Sequence, residues 1–330
     1  MTVSVEKTRI VGLGSALVDV LVYESDDFIR QVGVEKGGMT LVDLSTSEAV
    51  LAAASTPPHV VPGGSACNTA AGVGCLGGKA RFVGKRGNDE AGRFFEQALI
   101  KRGVEPRLLV SDLPTGRVLS IITPDSQRTM LTYLGASADT QPEEITPDAF
   151  ADSAIVHIEG YLLFNPDLMA AALGAAKAAG ARISLDLASF TVVEQSKTLL
   201  DDIIRTHVDV LMANEDEAFS YTGIRDEAAA LARLARDVDV AVLKVGARGS
   251  YIHDADGRVH QIPAMGTGAA IDTTGAGDLW AAGFLYGLVS GLSWQDSGRL
   301  ASACGFEVCQ VIGADIPADA WQRIRQQQEA

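Results

Sequence analysis

The sequence Ile271-Asp272-Thr273-Thr274-Gly275-Ala276-Gly277-Asp278 runs directly into the apolar stretch 279–290. Three small residues precede one carboxylate at an expected helix start. Small residues let a backbone approach an anion closely, and the free N–H groups of a first helical turn point at it. A carboxylate there would repel a phosphate that was merely bound. It suits a site in which Asp278 takes a proton from a hydroxyl while the N–H groups of Gly275, Ala276 and Gly277 meet charge on a transferring phosphoryl group. A capped helix start accounts for the same residues without chemistry.

Pro62-Gly63-Gly64-Ser65-Ala66-Cys67-Asn68-Thr69-Ala70-Ala71-Gly72 is a second glycine-rich entry into a helix of small residues. Together the two stretches resemble the paired motifs of the PfkB, or ribokinase-like, family of small-molecule kinases. The family's early glycine pair and asparagine match Gly63, Gly64 and Asn68, and its late anion hole and catalytic aspartate match Gly275 to Asp278. The motifs lie in the family's order, about 200 residues apart, and the resemblance runs from near Ile10 to near Gly313. It implies a kinase that uses ATP and Mg²⁺ to phosphorylate a hydroxyl of a small acceptor, with K⁺ as an optional further ion. It also implies an α/β fold: a mainly parallel central sheet flanked by helices, with a small β-sheet lid over the acceptor.

Further positions carry the resemblance. Asp19 follows Gly12-Leu13-Gly14-Ser15-Ala16-Leu17-Val18 and is placed at the end of the first strand. Its family counterpart binds acceptor hydroxyls; a solvated loop aspartate is the plain alternative. Asn214 and Glu217 stand three apart at a strand-to-helix junction, hence on one helical face. They resemble the family's Asn-x-x-Glu motif, which helps organise hydrated magnesium and ATP phosphates. A capping box explains the pair equally well. Lys244-Val245-Gly246-Ala247-Arg248-Gly249 resembles the nucleotide-side loop, which makes Lys244, Gly246, Arg248 and Gly249 candidates for ATP contact. Asp272 and Thr274 match positions that help bind a monovalent cation. Arg128 aligns with an arginine that adenosine kinases place against the transferring phosphate. Ribokinases carry asparagine two residues before the aspartate, where this chain has Leu17, and adenosine kinases carry apolar residues there. Met39, Met130 and Tyr161 are available for a purine slot, or are ordinary core. Adenosine is therefore the first expected acceptor and a free sugar such as ribose or fructose the second. A non-catalytic nucleotide or nucleoside sensor on the same fold is the alternative of another class, opposed by the intact Asp278. A dinucleotide site is discounted because Leu17 stands where the third glycine of Gly-x-Gly-x-x-Gly belongs.

The elements needed to position these groups are legible in outline. Strand-like runs at 9–13, 154–158, 182–186, 208–212 and 240–245 alternate with helical patterns at 167–179, 193–206, 214–221 and 225–236, as in a parallel sheet covered on both faces. Arg117 to Thr123 and Arg128 to Leu134 flank Pro124-Asp125-Ser126-Gln127, a hairpin by turn chemistry. With extended pieces at 17–23 and 38–43 it makes the expected lid, drawn from about 15–45 and 113–137 of a single domain spanning 1–330. Residues 323–330 read as a frayed polar end.

A formal charge of -15 argues against general nucleic-acid binding. Hydrophobic residues at 47% with aromatics at 6% suit closely packed helices on a sheet. The four cysteines form no Cys-x-x-Cys pair and the five histidines are scattered, so a zinc site is not expected. Residues 1–8 carry no apolar signal core and no apolar run is long enough to span a membrane, which points to the cytoplasm, with reduced thiols. Monomer and homodimer are both open.

Overall fold

Consecutive residues of the buried strands go to different layers. Strand β1 (Arg9–Leu13) sends Ile10 into one hydrophobic core and Val11 and Leu13 into another. This two-sided burial is why such strands read as continuous apolar runs rather than as an alternation. The computed structural model describes residues 7–125, 127–266 and 269–326. Ser126 of the expected turn, residues 1–6 of the leading segment and residues 327–330 of the expected polar end lie outside the described residues.

Among the described residues nine strands form the large sheet. One edge is β6 (Val104–Ser111), followed by β5 (Ala80–Gly87), β1, β9 (Ser153–Glu159), β10 (Arg182–Asp186), β11 (Val210–Asn214) and β12 (Val240–Lys244), all parallel. The other edge is the antiparallel pair β13 (Ser250–His253) and β14 (Val259–Ile262). On one face lie α5 (Pro166–Ala178), α6 (Phe190–His207), α7 (Glu215–Thr222) and α8 (Glu227–Leu234). On the other lie α3 (Ser65–Cys75), α9 (Ala276–Val289) and α10 (Trp294–Val308). The α/β expectation therefore holds, with a mainly parallel sheet flanked by helices and a second, small sheet. No described helix is long and apolar enough to cross a membrane.

The small sheet runs β3 (Met39–Leu41), β8 (Arg128–Tyr133), β7 (Gly116–Ile122), β2 (Leu17–Tyr23), β4 (His59–Gly63). Strand β4 was not expected, because Pro62 interrupts its pattern. It occupies an edge, where a missing N–H is tolerated. Val18, Val20, Val22, Leu119, Ile121 and Leu131 bury one face of this sheet against Phe28 and Ile29 of α1 (Asp26–Val32). The alternate residues face the opposite way. The polar end expected from Arg323 onward is instead the last turn of α11 (Ala318–Gln326), with Trp321 and Ile324 buried and Arg323 paired to Glu307 and Asp319.

Two close helix contacts set the positions that matter. A Cβ on Gly72 of α3 would fall 2.6 Å from the Ala282 Cβ of α9, so only a bare backbone lets these helices meet at this distance. A Cβ on Gly12 would fall 2.5 Å from the Ala66 carbonyl oxygen, which ties the start of α3 to β1.

Candidate active site

Four neighbouring parallel strands end in polar residues: β9 in Glu159, β10 in Asp186, β11 in Asn214 and β12 in Lys244. Open α/β sheets bind ligands beyond the carboxyl ends of their strands. Here those ends, the starts of α3 and α9 and one face of the small sheet enclose a cavity of about 1260 Å³.

Asp278 is the third residue of α9 and its carboxylate is held on both oxygens. Ser65 Oγ donates to Oδ1 at 2.7 Å and Asn68 Nδ2 donates to Oδ2 at 2.9 Å. The close approach of α3 and α9 makes both bonds. Burial raises the Asp278 carboxyl above the usual range, and the bonds from Asn68 and Ser65 offset part of that rise. Gly275 caps the helix in the left-handed region with φ 71°. Ala276 and Gly277 follow it along the cavity wall. The Ala276 N–H is engaged by the Thr273 carbonyl at 3.2 Å, so the expected set of three free N–H groups is reduced by one.

Asp19 corrects its sequence placement. It lies inside β2, in the small sheet, paired in register with Val61 and Val118, and not past the end of β1. It is buried. Burial pushes its carboxyl up to about 6, against the downward pull of the Arg128 guanidinium. Gly63 lies directly beneath: a Cβ there would fall 2.3 Å from Asp19 Oδ1. Gly64 has φ 99° and would bring a Cβ within 2.3 Å of the Ser15 carbonyl oxygen. Arg128 Nη2 donates to Ser120 Oγ at 2.7 Å, and Nη1 stands 3.9 Å from Asp272 Oδ1. Leu17, Met39 and Met130 share the cavity wall with Asp19 and Arg128. Met39 pairs with Met130 across β3 and β8. Tyr161 lines the same cavity from the 3₁₀ turn Gly160–Phe164, its hydroxyl 3.5 Å from the Ala188 carbonyl oxygen.

Asn214 and Glu217 form the capping box. Glu217 N–H donates to Asn214 Oδ1 at 2.9 Å, Asn214 N–H to Glu217 Oε2 at 2.8 Å, and Asn214 Nδ2 to Glu217 Oε1 at 2.7 Å. The pair also lines the cavity. Burial lifts the Glu217 carboxyl to about 7, with the neighbouring Asp186 charge adding to the rise. Lys244 Nζ donates to Asp186 Oδ2 at 2.6 Å. Gly246 and Gly249, both with positive φ, line the cavity beside it. Arg248 does not. It is exposed and held by Glu215 and Glu227, so the expected phosphate contact is withdrawn to a surface ion-pair cluster. Asp272 acts as a loop staple: Oδ1 accepts from Thr274 N–H at 2.9 Å and Thr274 Oγ at 2.6 Å, and Oδ2 accepts from Gly313 N–H at 2.8 Å.

Three residues escaped the sequence reading. Glu159 is buried, and accepts Ser15 N–H at 2.9 Å and Ala66 N–H at 3.0 Å. It thereby caps α3, whose own N-cap, Gly64, has no side chain to do so. Asp186 is the partner of Lys244, and Ser65 is the second donor to Asp278. A polar residue closing an apolar strand was the available signal for Glu159 and Asp186, the same signal that marks Asn214 and Lys244.

Comparison with known proteins agrees with this geometry. The profile of the family described as pfkB family carbohydrate kinase matches residues 38–321. The chain is similar to the crystal structure of adenosine kinase from Sinorhizobium meliloti, with 32% identity and a TM-score of 0.89, covering 97% of this chain and 99% of that one. It is similar to a probable sugar kinase from Rhizobium etli CFN 42, with 31% identity and a TM-score of 0.91, covering 98% and 100%. Among curated sequences it is 29% identical over 255 residues to the 5-dehydro-2-deoxygluconokinase of Bacillus subtilis, covering 73% of this chain and 78% of the relative.

Proposed function

Because the chain belongs to the pfkB family of carbohydrate kinases and is an ATP-dependent small-molecule kinase, we propose that its acceptor is a nucleoside, adenosine first, phosphorylated on its primary hydroxyl. One observation carries this choice. The cavity face of the small sheet is largely apolar: Leu17, Met39, Leu41, Val118 and Met130 lie about Asp19, its one carboxylate, with Arg128 and Thr132 the other polar side chains on it. Met39 and Leu41 are 37% and 56% exposed on it. A ribose with an attached base would cover this wall while Asp19 accepts hydrogen bonds from its vicinal hydroxyls. A free sugar would leave the wall wet. Tyr161 lines the same cavity from the large-sheet side, packed on that core with its hydroxyl toward Ala188.

In this reading Asp278 takes the proton of the acceptor hydroxyl as its oxygen bonds to the γ-phosphorus and the bond to the ADP oxygen breaks. Ser65 and Asn68 orient the carboxylate. The N–H groups of Gly275 and Gly277 form the anion hole, Ala276 lining it with its own N–H already engaged by Thr273, and Arg128 lies nearby. Gly63, Gly64 and Asn68 shape the acceptor's end of the cavity, and Asn214, Lys244, Gly246 and Gly249 the nucleotide's. Magnesium fits the residues present. Asp186, Glu217 and Asp278 crowd one Lys244; burial first and the Asp186 charge second raise the Glu217 carboxyl, and a nearby cation would oppose both. Glu217 would hold Mg²⁺ through water, and the ion would offset charge on the ATP phosphates. Asp272 and Thr274 are the proposed contributors to a K⁺ site. The four unpaired cysteines fit a cytoplasmic location.

The test is ADP release by purified protein with ATP and Mg²⁺, with and without K⁺, across nucleosides, ribose, fructose and 5-dehydro-2-deoxygluconate. Adenosine should give the highest kcat/KM. Robust turnover of a free sugar with none on adenosine, the outcome favoured by the name of the Bacillus subtilis relative, would overturn the acceptor and leave the kinase standing.

A further inference from the structure

Gly277 is a glycine that its backbone does not require. Its φ is outside the left-handed range, so any residue could adopt it. What lies beside its missing side chain is the Lys244 ammonium: a Cβ on Gly277 would fall 3.1 Å from Nζ and 4.0 Å from Cε. The bare backbone thus leaves Lys244 open at the first turn of α9, next to the Asp278 carboxylate.

Lys244 is fixed there from behind. Its Nζ donates to Asp186 Oδ2 at 2.6 Å, and Asp186 Oδ1 in turn accepts the Ala188 N–H at 3.0 Å. That second bond needs Ala188 at φ 62°, a left-handed conformation that alanine rarely adopts. Such strain persists only where the surroundings over-determine it, and it clusters at functional sites. Asp186 is therefore clamped on both oxygens, and the clamp aims one cation at the anion hole. Burial would lower the Lys244 pKa. The carboxylates that face it, Asp186 from β10, Glu217 from α7 and Asp278 from α9, outweigh burial and keep it charged.

We propose that Lys244 is a catalytic cation of this site, countering the charge that builds on the transferring phosphoryl group at the start of α9, and that Asp186 is the residue that positions it. The proposal rests on the kinase reading and goes beyond nucleotide contact. A phosphate-binding lysine lowers the KM for ATP, whereas a cation aimed at the transferring group raises kcat. The step leaves Lys244 protonated throughout. The acceptor oxygen bonds to the γ-phosphorus, the bond to the ADP oxygen breaks, and the hydroxyl proton goes to Asp278.

The test is a double-mutant cycle on the full chain: wild type, Lys244→Met, Asp186→Asn and the double variant. It is read as kcat at saturating substrates, with the ATP dissociation constant measured without acceptor. Lys244→Met should lose about 10²–10³ in kcat, the scale of one preorganised electrostatic contact, with ATP binding nearly unchanged. Asp186→Asn should also lower kcat. The double variant should be no slower than Lys244→Met, because Asp186 acts through the lysine. It should also unfold at a higher temperature than Lys244→Met, in which Asp186 is left buried and unpaired. Lys244→Arg keeps the charge and guards against a folding artefact; it should retain more kcat than Lys244→Met. The proposal is overturned if Lys244→Met is as fast as wild type, if its loss lies in ATP binding alone, or if the two single losses multiply. Multiplying losses would mean that Asp186 acts independently, for instance through a metal. A wild type that binds ATP yet transfers to no acceptor tested would sink the kinase reading itself, a result distinguishable from any of these.

Discussion

Gly63→Ala isolates the acceptor side of the cavity with one methyl group. Gly63 does not have a positive φ, so alanine is conformationally allowed and the whole effect is a collision. The new Cβ would fall 2.3 Å from Asp19 Oδ1, 2.4 Å from Cγ and 2.6 Å from Oδ2. All three contacts are to one carboxylate and none is to backbone. Ordinary contact begins near 3.4 Å, so the carboxylate must retreat by about 1 Å. A retreat of that size breaks a charge-assisted hydrogen bond to an acceptor hydroxyl, worth about 1.5–3 kcal/mol. The acceptor KM should therefore rise about 10- to 100-fold. The KM for ATP should hold, because the proposed nucleotide end of the cavity is built from β11, β12 and α9. Overpacking costs about 1–3 kcal/mol, offset by about 0.4–1 kcal/mol from the stiffer unfolded chain, so the melting temperature should fall by a few degrees. Initial rates with each substrate varied in turn, and a thermal unfolding curve, measure all of this. Adding Asp19→Ala to Gly63→Ala removes the collision and should restore the melting temperature while the acceptor KM stays high. An acceptor KM within about twofold of wild type, with the melting temperature unchanged, would refute the idea that Asp19 is pinned over Gly63 to meet the acceptor.

Acceptor binding should also titrate. Burial places the Asp19 carboxyl at about 6 instead of 3.8, so the ionised, hydrogen-bond-accepting form is lost as pH falls through that value. At pH 5 the acceptor affinity should be down about tenfold relative to pH 8. Asp19→Asn should flatten the profile. The sign for folding is the reverse: a raised carboxyl favours the neutral form in the folded state, so this residue's contribution to stability declines as pH rises from about 4 to 6. Asp278→Asn should cut kcat by about 10²–10⁴ while leaving ATP binding measurable by titration, because the amide keeps the shape but cannot take the proton. Near wild-type turnover would remove Asp278 from the base role.

The legible parts of this site were those whose signal is local. Gly275 to Asp278 and Gly63 to Asn68 are contiguous runs, so spacing alone shows a backbone opened at a helix start. Asp19 was found but misplaced. The run Leu17-Val18-Asp19-Val20-Leu21-Val22 is apolar on both sides of Asp19 and reads as part of the small sheet, but it carries no alternation to fix the aspartate's place, which only pairing with Val61 and Val118, distant in sequence, puts inside the strand. Glu159 and Asp186 were missed for the same reason. Each closes a strand visibly enough, yet its meaning comes from Ser15, Ala66 and Lys244, which lie 144, 93 and 58 residues away. Arg248 failed in the opposite direction. Its loop looked right, and only the fold brings Glu215 and Glu227 close enough to claim it.

The two faces of the small sheet have a consequence for how such enzymes diversify. Val18, Val20, Val22, Leu119, Ile121 and Leu131 hold the sheet onto the body. Met39, Leu41, Val118 and Met130 look into the cavity, as does Leu17, which is itself buried. The groups proposed to handle phosphate stand on other elements: the ends of β10 to β12 and the start of α9. Acceptor choice and phosphoryl chemistry are thus separable inheritances. The cavity face can be rewritten residue by residue without loosening its anchor or disturbing the machinery beneath. On the proposed acceptor reading, a library confined to positions 17, 39, 41, 118 and 130 should shift the preference between nucleoside and sugar while Asp19 and Asp278 stay constant, and kcat/KM for each acceptor measures it. One scaffold can in this way serve relatives with names as different as adenosine kinase and 5-dehydro-2-deoxygluconokinase.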